Sequence, residues 1–184
     1  MNFTLNYYII IFLSIILIVA AVIDVRVKKI PNVITFPTIF AMMVYHILTN
    51  GWQGLFFSFG GMALGIAIFF VPYLMGGMGA GDVKLMGAVG ATIGPKGVFF
   101  ASLSTAIAGG LYALIILLIN RKYAKDFISR NGTTLKTLAF TGQFIPIAAD
   151  KSEKKLKLCY GIAIAIGTFS YIMLEFYGIN TFYI

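Results

Sequence analysis

The sequence predicts an all-α protein: a polytopic bundle of six transmembrane helices, the fourth of them short, with both termini on the outer side of the membrane. Three observations carry that prediction. The 184 residues are 60% hydrophobic and only 11% charged, against roughly 45–50% apolar and 25% charged residues in soluble domains. Apolar runs recur at about the 20 residues a helix needs to cross a hydrocarbon core. The basic residues fall almost entirely in the gaps between those runs.

The runs are Leu5 to Ile23, Val33 to Leu48, Leu55 to Met75 and Val98 to Ile119, with a last one from Leu158 to Tyr177. Charge, glycine or proline bounds each of them. The first run resembles a signal peptide only in its hydrophobicity. It lacks a basic start and ends in Asp24-Val25-Arg26 instead of a small-residue cleavage site, so it reads as a permanent span. Between the third and fifth helices, Val83 to Ile93 is apolar apart from Lys84 but reaches only about 16 Å as a helix. The Gly-rich stretch before it, which could lie inside the protein at membrane depth, and the tight reversal at Gly94-Pro95 after it make it a short fourth helix.

With the N-terminus outside, the cytoplasmic side receives the segment Asp24 to Asn32, the Gly-rich turn and the loop 120–157. Of the 14 Lys and Arg residues, only Lys96 then falls outside, as the excess of positive charge on cytoplasmic loops requires. One membrane-embedded domain over residues 1–184 is expected, with 120–157 as a cytoplasmic loop. Its part Thr133 to Asp150 mixes apolar patches with Thr141, Gly142, Gln143 and Pro146; it suits a surface-lying segment or an ordinary loop packed on the bundle.

The net charge of +8 would suggest nucleic acid in a soluble protein. Here the basic residues orient the helices and meet anionic lipid headgroups, so membrane lipids are the expected partners and nucleic acid is not. A single cysteine, Cys159, excludes an internal disulfide, and without a CxxC pair no structural zinc is expected. No metal or cofactor is called for.

Only six acidic residues are present. Asp126, Asp150 and Glu153 stand among the basic residues of the long loop, and Glu175 near the end of the last helix, by the outer interface. Asp24 ends the first helix and Asp82 opens the fourth, and the topology puts both at the cytoplasmic face. An ionisable group at the edge of hydrocarbon is costly and points to function when it faces the bundle interior. Two carboxylates brought together cannot both ionise easily, so one keeps its proton while the other stays charged. That pair can activate a water and polarise a peptide carbonyl with no metal, nucleophilic side chain or cofactor.

Each acid has a plainer reading as well. Asp82 is placed to cap the helix that follows, and Asp24 to pair with Arg26 or Lys28 at the membrane boundary. Met75-Gly76-Gly77-Met78-Gly79-Ala80-Gly81 is too rich in glycine for a good helix and should bend the chain just ahead of Asp82. Lys84 either tunes the neighbouring carboxylate or simply obeys the orientation rule. His46, the only histidine, lies far from both acids and reads as a packed or interfacial residue. Ser102 and Ser104 lack the GxSG context of a rhomboid-type serine protease. The glycines Gly60-Gly61, Gly65 and Gly109-Gly110 read as close-packing sites. The Gly-rich turn lacks the GxxxxGK[ST] pattern of a phosphate loop.

Gly79-Ala80-Gly81-Asp82-Val83-Lys84-Leu85 resembles the GxGD signature of the type IV prepilin peptidase family of membrane aspartic proteases. Asp24-Val25-Arg26, with Lys29-Ile30-Pro31-Asn32 beyond it, is similar to the other half of that family's site. Tyr160-Gly161-Ile162-Ala163-Ile164-Ala165-Ile166-Gly167 is similar to its final helix, with Cys159 and Ile162 standing where proline is often found. The resemblance implies that Asp24 and Asp82 are the catalytic pair, supported by Gly79, Gly81, Lys84, Arg26, Pro31 and Asn32. It implies a prepilin substrate with a single hydrophobic helix, cut at the cytoplasmic face of the cell membrane just before that helix. Larger family members carry a cysteine-containing cytoplasmic domain that methylates the new N-terminus. The short form resembles the peptidases of tight-adherence (Flp) pilus systems or, more distantly, the archaeal preflagellin peptidases, and cleavage without methylation is the expectation. The rival class is a small transporter or channel component in which the aspartates relay protons or bind a cation.

Overall fold

The computed structural model describes residues 7–119 and 159–176. Among them the chain forms four α-helices: α1 (Tyr7–Val27), α2 (Asn32–Leu74), α3 (Ala80–Ile119) and α4 (Tyr160–Phe176). No strand is found among the described residues. Three of the helices, α1, α2 and α3, are long and apolar enough to cross a membrane, and α4 is a shorter apolar helix of 17 residues. The predicted cytoplasmic loop and its Thr133 to Asp150 segment lie outside the described residues.

Two of the helices are longer than one crossing needs. A straight helix of 43 residues would reach about 65 Å, roughly twice the hydrocarbon thickness. Each is broken by a glycine whose backbone no other residue adopts easily: Gly51 in α2 (φ 59°, ψ −143°) and Gly94 in α3 (φ 75°, ψ −178°). The breaks fall where the sequence places helix boundaries, between Leu48 and Leu55 and at Gly94-Pro95.

The chain divides into two compact units. One comprises residues 1–109 and 159–184, the other residues 110–158. The described part of the second is the end of α3.

In the first unit α1 packs on α4 and touches α2. The buried residues of α1 are Ile9, Leu13, Leu17, Ala20 and Asp24, spaced by three or four and so aligned on one face. The other faces expose Ile11, Ile15, Ile18, Val22 and Val25, which suits a lipid surround. The first arm of α3 is different. From Val83 to Ile93 all but Lys84 are buried, and Leu85, Met86 and Val89 join Leu13, Leu17 and Ile164 in the main hydrophobic cluster. A helix that is apolar all round belongs in a core, which is how a segment too short to cross a membrane is accommodated.

Glycine lets α2 reach that arm. A Cβ on Gly61 would collide with the Gly90 carbonyl, and one on Gly90 with the Gly61 carbonyl, so the two backbones touch directly, as small residues permit at membrane-helix interfaces. The break at Gly94 has its own repair. Pro95 has no N–H to give the Ala91 carbonyl; the Ser58 hydroxyl donates to it instead at 2.8 Å. His46 Nε2 lies 3.1 Å from the neighbouring Thr92 carbonyl, and since a carbonyl only accepts, that ring nitrogen is the protonated one. His46 is thus buried and bonded, with Tyr45 and Phe57 edge-on against its ring.

Candidate functional site

The first candidate acid sits in the last turn of α1, which runs one turn past the predicted end. It closes in a left-handed cap: Lys28 takes φ 54°, and its N–H bonds the Asp24 carbonyl at 2.8 Å, the single-bond αL termination. Asp24 itself continues the buried stripe of α1, so its side chain points into the bundle. It is 5% exposed, and Oδ2 accepts the Gly161 N–H at 2.9 Å.

That bond does the work of a helix cap supplied from another helix. Gly161 is the second residue of α4, and its N–H is one of the donors a helix start leaves without an internal partner. The carboxylate also lies where the helix dipole favours negative charge. A Cβ on Gly161 would sit 3.0 Å from both Cβ and Oδ2 of Asp24, so the approach depends on glycine. The boundary reading of Asp24, as a surface charge paired with Arg26 or Lys28, does not describe it. Arg26 is exposed, and the buried carboxylate is held by main chain.

The second acid is delivered by the Gly-rich turn. Helix α2 ends in a Schellman motif, with Gly76 at φ 74°, Gly77 N–H bonding the Pro72 carbonyl and Gly76 N–H the Tyr73 carbonyl. Helix α3 then begins at Ala80. Asp82 does cap it, but from the third helical position: Oδ2 reaches back to the Gly79 N–H at 2.9 Å, the acidic half of a capping box. Asp82 is 6% exposed. Gly79 has little room, since a Cβ there would stand 3.3 Å from Oδ2 of Asp82.

The start of α4 reaches the end of α1 through the Gly161 N–H on Asp24, and the start of α3 packs at Gly81 against Ile30 in the turn that follows α1. The end of α1, the start of α3 and the start of α4 therefore meet at one place. The turn between α1 and α2 closes over it. Ile30 is buried in the core, and a Cβ on Gly81 would lie 3.0 Å from the Ile30 Cβ and 3.2 Å from its carbonyl oxygen. Pro31, at φ −73° and ψ 143°, precedes Asn32 at the head of α2, and Asn32 Oδ1 accepts a hydrogen bond from Lys84 Nζ at 2.9 Å. The Lys84 ammonium also stands 5.1 Å from the Phe36 ring centroid.

Among the residues expected at the site, Gly79, Gly81, Lys84, Pro31 and Asn32 thus contribute to the framework around the acids. Arg26 lies on the outer surface beside a shallow cavity of about 300 Å³ that Val22, Val25 and Ile162 also line. The residue the sequence reading missed is Gly161. Its signal was present in the Tyr160-Gly161 start of the final helix, but nothing in the sequence tied that amide to Asp24. Cys159, where proline is often found in the similar family, brings its thiol to the Asp24 carbonyl at 3.8 Å. Among the described residues no group of His, Cys, Asp and Glu is arranged to hold a metal ion.

No curated protein sequence and no solved structure matches the chain. Residues 11–114, more than half of the chain and a span that includes both acids, match the model of the type IV leader peptidase family, so this all-helical membrane protein belongs to that family of peptidases.

Proposed function

We propose that the chain is an intramembrane aspartic endopeptidase, with Asp24 and Asp82 as its catalytic pair, that removes the leader peptide of type IV-like prepilins. One observation carries the reading. Two buried carboxylates from separate helices flank the contact between the turn after α1 and the first turn of α3, each with Oδ2 engaged by a backbone N–H. Such a pair can divide the work of general base and general acid between its members. The ionised member takes a proton from a water placed between them. The resulting hydroxide adds to the scissile carbonyl carbon while the protonated member donates to its oxygen. As the tetrahedral adduct collapses, the C–N bond breaks, the amine leaves with the proton that the first carboxylate took from water, and a hydroxyl proton of the adduct returns to the second, which restores the starting pair.

The substrate is a prepilin with one hydrophobic helix, which enters laterally from the lipid and unwinds at its cytoplasmic end against the exposed turn Gly76 to Gly79. The topology that goes with this has six spans, N-out and C-out, with α2 and α3 each crossing twice through their glycine breaks and the site at the cytoplasmic side of the cell membrane. The tight-adherence (Flp) class of substrate, and cleavage without N-methylation, are supported by the motifs and by the lack of any cysteine in the polar stretch 121–157.

Co-expression with a candidate prepilin tests the proposal through the mobility shift of the processed pilin. The native chain should process it, and Asp24→Asn or Asp82→Asn should not while still folding. The break in α3 also suits a small transporter with an aspartate relay. That reading predicts no processing by any variant, and ion or solute flux that disappears with either acid.

A further inference from the structure

The separation of the two carboxylates is set by the pieces of chain that join them. Asp24 is tied to the turn after α1 by the bond from Lys28 N–H to its carbonyl. That turn is docked on α3 where Ile30 packs on Gly81, and proline at position 31 restricts the backbone that leads into α2. Asp82 is tied to the first turn of α3, two residues before Lys84. Across this seam a side-chain hydrogen bond joins the two sides, from Lys84 Nζ to Asn32 Oδ1 at 2.9 Å. The Lys84 ammonium also stands over the Phe36 ring, which belongs to the same first turns of α2 as Asn32.

We infer that Asn32 and Lys84 are positioning residues, a latch that holds the turn after α1 against the first turn of α3 and so fixes the spacing of the Asp24 and Asp82 carboxylates. The inference rests on the proteolytic reading of those acids. In this arrangement Lys84 acts as a hydrogen-bond donor to Asn32. A lysine that acted by its charge on Asp82 would not need Asn32 at all, and that difference decides the experiment.

Prepilin cleavage is measured with the purified full chain in lipid vesicles for Asn32→Ala, Lys84→Met, the double variant and Asn32→Asp. Misplacing a reacting group by about an ångström costs up to 100-fold in rate; a loosened but still docked seam should cost each single variant about tenfold in kcat with little change in KM. The double variant should be no slower than the slower single variant, because both remove the same contact. Asn32→Asp keeps the acceptor oxygen and should recover most of the rate. The inference is overturned if Asn32→Ala cleaves at the native rate while Lys84→Met does not, if the two losses multiply, or if Asn32→Asp is as slow as Asn32→Ala.

A second measurement does not depend on activity. In a Cys159→Ser background, Asp24→Cys and Asp82→Cys are joined by a short thiol-reactive bifunctional reagent, and adding Asn32→Ala should slow the crosslinking several-fold. An unchanged crosslinking rate removes the latch. Intact prepilin cleavage by Asp24→Asn and Asp82→Asn would instead remove the proteolytic reading, leaving the crosslinking result to judge the latch by itself.

Discussion

Helix α3 begins at a break and is interrupted by another about 21 Å further along its axis, and the two are repaired with opposite chemistry. At the first, around Gly79 and Asp82, backbone N–H groups lack partners and carboxylates accept from them: Asp82 from Gly79, and Asp24 from Gly161 at the start of α4. At the second, around Gly94 and Pro95, side-chain donors reach backbone carbonyls: Ser58 that of Ala91, which Pro95 has no N–H to serve, and His46 that of Thr92. Both satisfy the rule that buried backbone groups must be paired. Only the first gathers groups that can exchange protons with a water and a substrate. A buried polar residue in a membrane helix is therefore not by itself a sign of catalysis. What it donates or accepts, and from which element, separates a structural repair from a chemical site.

That contrast can be broken by substitution. The largest expected effect is at the acids. Asp24→Asn or Asp82→Asn keeps a side-chain oxygen for the backbone N–H but removes the proton exchange, so cleavage should fall by about 10²–10⁴-fold with a nearly native melting temperature. Parallel losses of cleavage and melting temperature would mean that the acids are structural repairs after all. Gly161→Ala comes next. Its Cβ would press on Asp24 at 3.0 Å and displace the carboxylate, which should cost about 10–100-fold in cleavage and less in stability. Full activity in this variant would show that the docking of α4 on Asp24 does not matter to the reaction.

The third effect runs the other way. Ser58→Ala and His46→Leu each remove a buried side-chain donor from a backbone carbonyl and should cost about 1–3 kcal/mol of stability, with cleavage per folded molecule changed by no more than about twofold. A selective loss of cleavage would place the Gly94 break within the reaction machinery. The smallest effect sharpens the point. The Ser170 hydroxyl bonds the Ile166 carbonyl of its own helix on an exposed face, so Ser170→Ala should stay within about 0.5 kcal/mol of native stability, although it deletes the same group as Ser58→Ala.

Much of this was legible in the sequence because it is local. The spans follow from hydropathy and length, and the glycine breaks at 51 and 94 follow from residues that punctuate apolar runs. The two acids stood out because unneeded charge is expelled from hydrocarbon. Even the burial of Asp24 could be read from its register with Leu13, Leu17 and Ala20. The partner of Lys84 could not. Its sequence neighbour is Asp82, and the sequence offered that carboxylate or the membrane charge rule as explanations, yet the amine reaches Asn32. His46 was expected to be packed or interfacial, and its bond to the Thr92 carbonyl depends on how α2 crosses α3 at Gly61 and Gly90.

By itself, then, the sequence determined an all-helical membrane peptidase of the type IV leader peptidase family with two candidate acids, since periodicity, hydropathy and a short motif are properties of contiguous residues. Only the tertiary structure decided that Asp24 caps α4, that Asp82 closes a capping box from within its helix, and that Asn32 takes the Lys84 ammonium. The reason is physical: a backbone or side-chain group displaced from local pairing takes whichever partner packing brings within about 3 Å, and that is settled by how helices cross, not by their order along the chain.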